Sequence, residues 1–284
     1  MISLLYLFKA KQQKEGKIMA ERLKIGFIGC GNMASAMISG ILKSGGNLTC
    51  EIIASNKSEA SLEKTAKLGI GTTLDNKLVA KSRVVFLTIK PQFYAEVIDE
   101  IKDVVTDETI IVTVAPGWSI KRVTEAFGKE VKVIRTMPNT PAKVREGMSE
   151  MCVGENVTEL ELMAVKRLFE QFGRVAVIPE RLMDAASTVA GCSPAFVYMF
   201  IEALGDAGVR EGLPRAQAYE LAAQTVYGSA KMVLETGLHP GVLKDQVTSP
   251  AGTTIEGVYA LEKAGFRSAV MDAVNAAAEK TKKI

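Results

Sequence analysis

Histidine is nearly missing from this chain: one residue, His239, in 284. A single imidazole cannot build a histidine-based metal centre, so no metal site is expected. Cysteine is sparse as well. Cys30, Cys50, Cys152 and Cys192 lie far apart and make no C-x-x-C pair. That pattern encodes neither a zinc knuckle nor a dithiol redox centre, and it suits reduced thiols in the cytoplasm. Surplus charge is lacking too, since 35 Lys and Arg against 32 Asp and Glu leave a net charge of +3. No basic stripe with interleaved aromatics marks a nucleic-acid surface. The basic group Lys280, Lys282 and Lys283 reads as a solvated helix end. Long apolar runs are also absent. The stretch 2–8 is apolar, but a bilayer needs about 20 residues in a row. No membrane partner is expected.

The N-terminal stretch has no positive region before its apolar run and no small-residue cleavage site after it, so it does not read as a secretory signal. Met19 stands just ahead of the first strand pattern and is a candidate start. Residues 1–20 are expected to form a poorly structured extension. What remains is long enough for two domains with a substantial core.

What the chain does have is concentrated at residues 25–34, Ile-Gly-Phe-Ile-Gly-Cys-Gly-Asn-Met-Ala. An apolar run ends at Ile28, a turn follows through Gly29, Cys30 and Gly31, and a helical pattern begins at Asn32 and Met33. Gly29 permits the tight turn. Gly31 lets a pyrophosphate approach the backbone. Ala34, as small as the usual third glycine, lets helix and strand pack closely. The free N–H groups at the helix start suit phosphate oxygens. This predicts a dinucleotide site. The plainer alternative is a glycine turn in some other α/β protein.

The first half alternates apolar runs with helical periodicity. Strands are predicted at 24–28, 51–54, 84–88, 110–114 and 131–135, with two short ones near 151–153 and 174–178. Helices are predicted at 33–43, 58–67, 92–101, 119–127 and 159–172. Buried β-branched strands alternating with helices mean a Rossmann-type, doubly wound parallel sheet. After Pro179 no strand pattern remains. Helices are predicted at 183–209, 215–236, 242–247, 253–264 and 266–282, with Pro194 interrupting the first. The organisation is thus 1–20 extension, 21–179 dinucleotide-binding domain, and 180–284 all-α domain. The apolar stripes of the last region are too wide for a lone bundle of its size, so another subunit is expected to cover them.

The second strand ends Ala54-Ser55-Asn56-Lys57-Ser58 without a carboxylate. A carboxylate there would bind a ribose 2′-OH and repel a 2′-phosphate. Asn56, Lys57 and Ser58 can instead offer hydrogen bonds and charge, which favours NADPH, with NADH as the alternative. The other reading is an ordinary polar turn. Thr88-Ile89-Lys90-Pro91 lies past a central strand, where ligands bind in such sheets. Lys90 is either a catalytic group or a helix-entry residue. Val114-Ala115-Pro116-Gly117 ends the next strand with small residues that suit a flat cofactor ring. Asn139, in the two-proline segment 135–141, either contacts substrate or belongs to a rigid connector. In the second half, Ser249-Pro250 reads as an N-cap and first helical residue. The N–H groups near Ala251, Gly252 and Thr253 would then suit a carboxylate, although a plain capped helix has the same pattern.

Five segments in this order resemble the pyrroline-5-carboxylate reductase family over about 24–276. They are Gly29-Cys-Gly-Asn-Met-Ala34, Ile89-Lys-Pro91, Arg135-Thr-Met-Pro-Asn-Thr-Pro141, Gly191-Cys-Ser-Pro-Ala195, and Lys244-Asp-Gln-Val-Thr-Ser-Pro-Ala-Gly-Thr-Thr-Ile-Glu-Gly257. The resemblance implies a Rossmann domain followed by an all-helical dimerisation domain. It further implies interleaved homodimers, often built into larger rings such as decamers, with an active site completed by the partner's helical domain. It matches Ile28, Gly29, Cys30, Gly31, Asn32, Met33, Ser55, Asn76, Thr88, Ile89, Lys90, Pro91, Val114, Ala115 and Pro116 to cofactor-contacting positions. It assigns the substrate carboxylate to Gly252, Thr253 and Thr254, and gives the Thr254 hydroxyl the catalytic contact with the ring nitrogen. The chain departs from the family at Gln246, where many relatives have Asn, at Gly237, where some have a carboxylate, and at Cys30 and Cys192.

The reaction so implied is hydride transfer from NAD(P)H to the C=N bond of pyrroline-5-carboxylate, giving proline. An iminium is already electrophilic, which fits a chain without an evident acid–base pair. A hydroxyacid oxidoreductase of the same plan would carry a lysine near 191–194, and none is there. A non-catalytic dinucleotide sensor would have no use for the carboxylate site at 249–255.

Overall fold

The strands form where β-branched and aromatic residues cluster between turn residues. They are β1 (Leu23–Ile28), β2 (Cys50–Ser55), β3 (Gly71–Thr73), β4 (Val84–Leu87), β5 (Ile110–Thr113), β6 (Lys132–Pro138), β7 (Gly147–Val153) and β8 (Gly173–Val177). The computed structural model describes residues 23–44 and 50–282. The 1–20 extension lies outside the described residues. Two compact units divide between Ser187 and Thr188.

In the first unit the eight strands join in one sheet, in the order β3-β2-β1-β4-β5-β6-β7-β8. Helices α1 (Asn32–Lys43), α2 (Glu59–Ala66), α3 (Asn76–Ala80), α4 (Tyr94–Ile101), α5 (Ile120–Phe127), α6 (Glu159–Glu170) and α7 (Met183–Ser187) connect or follow them. β1 pairs with both β2 and β4 in parallel. The chain runs outward in both directions from β1, so the crevice at the carboxyl ends of β1 and β4 is the place for a ligand.

The doubly wound sheet is parallel as expected at every pairing but one. β6 and β7 pair antiparallel, because the segment between Pro138 and Gly147 holds only a short 3-10 turn. A parallel return needs a crossover of a dozen or more residues. Helix α6 supplies one between β7 and β8, which pair in parallel. The sequence reading also missed β3 and α3. Both are very short, three and five residues, too short for a period to show. β6 runs on to Pro138, beyond its predicted end at 135.

One face of the sheet is covered by an aromatic cluster, with the Phe27 and Phe86 rings stacked 4.5 Å apart and Phe169 against Phe86. The other face packs Tyr94, Ile98, Trp118 and Val123 against β4 and β5.

The second unit is helical: α8 (Ser193–Arg210), α9 (Arg215–Thr236), α10 (Pro240–Gln246), α11 (Thr253–Lys263) and α12 (Phe266–Thr281). Residues 188–192 form a π-helical turn just before Pro194. The interruption expected at Pro194 therefore takes the form of a widened turn, which accommodates a ring that lacks an N–H donor. His239 caps α10, its Nδ1 accepting the Gly241 N–H at 3.0 Å.

Candidate cofactor and substrate sites

The glycine turn after β1 is held from three sides. The Gly29 N–H donates to the Ser55 carbonyl at 3.0 Å, and the Thr88 N–H donates to the Ile28 carbonyl at 2.9 Å. The Thr88 hydroxyl reaches the Gly29 carbonyl at 2.5 Å. Gly29 has a φ of +83°, and a Cβ there would stand 2.5 Å from Ile89 Cγ2. No other residue type fits without strain. Gly31 is different, since a Cβ there would meet nothing within 4 Å. Its bare backbone faces open space, as close approach of a pyrophosphate requires.

That space is a cavity of about 620 Å³. It gathers Ile28, Gly29, Cys30, Gly31, Asn56, Lys57, Asn76, Thr88, Ile89 and Lys90 from the residues assigned to the cofactor. Asn32 and Met33 begin α1 beside it without lining it. Ser55 is fully buried beneath it, donating to Asn76 Oδ1 at 2.6 Å. Asn76 Nδ2 in turn donates to Glu100 at 2.7 Å. Pro91 opens the turn into α4, and Val114, Ala115 and Pro116 follow β5; none of these four lines the cavity.

The sequence reading missed six lining residues: Ser61, Leu74, Phe93, Glu96, Val97 and Glu100. Phe93 carries Lys57 Nζ 5.1 Å from its ring centroid. The pair joins two loops far apart in sequence, so no local pattern signals it. Asn56 is committed within the protein. Its Nδ2 donates to Thr65 Oγ1 at 2.7 Å and to the Ser61 carbonyl at 3.4 Å, and its Oδ1 accepts the Cys30 N–H at 3.0 Å. Lys57 is exposed and its ammonium points over the cavity wall.

Asn139 is buried at the end of β6. Its Oδ1 accepts the Met148 N–H at 2.9 Å, and its own N–H donates to the Met148 carbonyl at 3.2 Å. It ties the two ends of the β6–β7 turn together. Arg135, on β6, is buried and pairs with Glu180 and Asp184.

In the second unit the segment before α11 departs from the predicted cap. Ser249 is not the N-cap and Pro250 is not the first helical residue. Ser249 accepts the Gly252 N–H at 3.1 Å in a turn, and Gly252 is the N-cap, with Thr253 the first residue of α11. Ala251 sits between them with a φ of +57°. A left-handed alanine is strained by roughly 1–2 kcal/mol, and such strain concentrates at functional turns. The first-turn N–H groups of Thr253, Thr254 and Ile255 have no carbonyl four residues back inside the helix. They form the donor set here, while the Gly252 N–H is spent on the turn. The Thr254 side chain is exposed at this end.

The helices of this unit bury little. α11 and α12 contain no buried residue, α8 only Gly205, and α9 only Ala218 and Ala222. Tyr198, Met199, Tyr259 and Met271 are each 59% or more exposed. Among the described residues one helical run, Glu180–Arg210, has the length and apolarity of a membrane span, with 11% of its most apolar window buried.

Comparison with known proteins gives two family matches. Residues 180–284 match "Pyrroline-5-carboxylate reductase dimerisation", and residues 24–117 match "NADP oxidoreductase coenzyme F420-dependent". A pyrroline-5-carboxylate reductase from Methanosarcina acetivorans is 43% identical over 266 residues, spanning 93% of this chain and 98% of its own length. One from Escherichia coli is 44% identical over 266 residues, spanning 92% and 98%. The crystal structure of Plasmodium falciparum pyrroline carboxylate reductase with NADP bound superposes with a TM-score of 0.81 at 34% identity. It covers 92% of this chain and 98% of that one.

Proposed function

The chain belongs to the pyrroline-5-carboxylate reductase family, and on that premise we propose which of its residues carry the family's reaction. It is an NAD(P)H-dependent oxidoreductase that reduces the C=N bond of 1-pyrroline-5-carboxylate to L-proline, the last step of proline biosynthesis. Its cofactor is NADPH, which supplies the hydride when bound.

The fit of the cofactor rests on the bare backbone at Gly31 and the cavity it faces. In our reading the N–H groups from Gly31 to Met33 hold the pyrophosphate, since the Cys30 N–H is spent on Asn56. Lys57 meets the 2′-phosphate, with Ser55, Asn56 and Asn76 shaping the wall behind it. Thr88 to Pro91 and Val114 to Pro116 flank the nicotinamide. Lys90 is exposed at the strand end and has no proton to transfer in this scheme.

The N-terminus of α11 takes the substrate carboxylate. Thr253, Thr254 and Ile255 offer N–H donors, and the positive end of the helix dipole favours the anion. The Thr254 hydroxyl hydrogen-bonds the ring nitrogen and orients it; where the imine arrives unprotonated, the hydroxyl relays a proton to the nitrogen and takes one from solvent in its place. Asn139 supports the substrate side through the turn it fixes. The protein's contribution is positioning, since reacting atoms held about 3–3.5 Å apart gain most of the rate available to an activated iminium.

The small-molecule enzyme self-associates through the dimerisation region. A homodimer explains the exposed apolar residues of α8 to α12 without a membrane, and assembly of dimers into a decamer is our further reading. The four cysteines are unpaired, which supports a cytoplasmic location.

The observation that carries the residue assignment is the first turn of α11, where unpaired donors follow a strained Ala251. Purified protein with pyrroline-5-carboxylate and NADPH tests it. Imine-dependent NADPH oxidation yielding proline, inhibited competitively by small ring carboxylates and lost in Thr254→Ala, is the expected result. Full activity in that variant overturns the assignment of Thr254.

A further inference from the structure

Leu87 and Thr113 are the last paired residues of β4 and β5. Beyond them the strands lead into Thr88–Pro91 and Val114–Pro116. At this fork one hydroxyl stands between the two backbones. Tyr94 Oη donates to the Leu87 carbonyl at 2.5 Å and accepts the Val114 N–H at 3.2 Å. The phenol is fully buried, and burial pushes its pKa well up, so it stays a neutral donor and acceptor. Its oxygen adds a rung to the ladder while keeping the two strand ends one atom apart.

A second tie lies beside the first. Trp118 Nε1 donates to the Pro91 carbonyl at 3.1 Å, and its ring lies 5.0 Å from that of Tyr94. Arg122 covers the outer face of the indole at 4.2 Å and donates to the Gly117 carbonyl at 2.9 Å. Each of the two loops is thus bonded to an aromatic side chain that reaches the other.

We propose that Tyr94 and Trp118 are positioning residues for hydride transfer, a two-point clamp that sets the spacing of the loops 88–91 and 114–117. This rests on the reading that those loops flank the nicotinamide. The clamp touches neither cofactor nor substrate. It acts by holding the loop backbones rigid, where a displacement of about 1 Å costs on the order of a hundredfold in rate. Packing alone would need only apolar side chains at these positions. One hydrogen bond to the last carbonyl of β4, one to a loop carbonyl and one from a loop N–H serve geometry.

Tyr94→Phe and Trp118→Phe test this, since each keeps an aromatic ring and removes one polar atom. In cofactor-free protein, Tyr94→Phe should speed amide hydrogen exchange at Val114, while exchange in β1 stays unchanged. In turnover, kcat should fall about ten- to a hundredfold, with KM for NADPH moving less than about twofold. The deuterium isotope effect with NADPH labelled at the transferred position should rise toward its intrinsic value. Trp118→Phe should shift kcat and the isotope effect in the same direction. A wild-type isotope effect and kcat in both variants, whatever their melting temperatures, overturns the clamp. The underlying reading fails separately. Trp118 is the sole tryptophan, and wild-type enzyme that turns over without energy transfer from it to bound NADPH has its nicotinamide elsewhere.

Discussion

The side-chain carbonyl of Asn56 accepts the backbone N–H of Cys30 at 3.0 Å. One residue follows β2 and the other sits inside the glycine turn after β1, 26 positions apart. The bond welds the glycine turn to the loop that follows β2, and both line the cavity. Both Asn56 amide hydrogens go to α2, at Ser61 and Thr65. Asn56 therefore shapes the cofactor site from behind. Asn56→Ala should weaken NADPH affinity about tenfold, in line with loss of roughly 1–2 kcal/mol of hydrogen bonding. NADH should weaken by a similar factor, as titration of cofactor fluorescence will show.

Lys57 should behave differently. Its ammonium is held over the Phe93 ring at 5.1 Å, and our proposal sets it against the 2′-phosphate, which NADH lacks. Lys57→Ala should raise KM for NADPH about tenfold and leave KM for NADH unchanged, with the NADPH effect shrinking in high salt. Equal losses for both cofactors would remove Lys57 from that role.

Thr254→Ala should cost on the order of ten- to a thousandfold in kcat/KM, the range for loss of a single active-site donor. The side chain is exposed, so the melting temperature should hold. Thr254→Ser, which keeps the hydroxyl, should recover most of the rate.

Glu161 links three elements. Oε1 meets Arg83 and Lys132, each at 2.7 Å, and Oε2 closes a capping box with Thr158 at the start of α6. Burial alone would raise its pKa, but the hydrogen bonds from Lys132 and Thr158 outweigh it and hold the carboxyl below its usual 4.5. A depressed folded pKa means stability that is fully present above about pH 4.5 and lost as pH falls through the folded value. Chemical denaturation at stepped pH should show that loss in wild-type protein. Glu161→Gln should be less stable by about 1.5–3 kcal/mol at neutral pH, with a flatter acid limb.

Glu150 predicts the opposite sign. It is buried on β7, its Oε2 has no hydrogen-bond partner among the described residues, and desolvation raises its pKa. A raised carboxyl pKa withdraws stability as pH climbs above the unfolded value of 4.5. Glu150→Gln should therefore be more stable than wild type at pH 8, and the two should converge near pH 4. A constant difference at every pH would show that the change acts through packing instead of charge.

Much of the nucleotide unit was legible because its signals are local. The strand, glycine turn and helix at 25–34 are encoded within ten residues, and the buried runs that became β1, β2, β4, β5 and β6 stand out by β-branched content alone. The missing carboxylate after Ala54 is likewise local. β3 and α3 escaped because elements of three and five residues complete too little of a period to register. The antiparallel β7 escaped because strand direction depends on connection length, not on the strand's own residues. The shift of the cap from Ser249 to Gly252 escaped because Ser-Pro favours a helix start locally, while the left-handed Ala251 delays it by one turn.

The sequence by itself determined the class of chemistry, through a dinucleotide turn and the segment at 244–257 that carries the family resemblance. Side-chain hydrogen bonds between distant loops were decided only by the tertiary structure. Asn56 reads as a ligand of the 2′-phosphate until its amide is seen bonded to α2. Tyr94 reads as a helix residue until its oxygen is found between Leu87 and Val114. The physical reason is common to both. A polar side chain has few donors and acceptors, and only the packed fold reveals which are spent on the protein and which remain for a ligand.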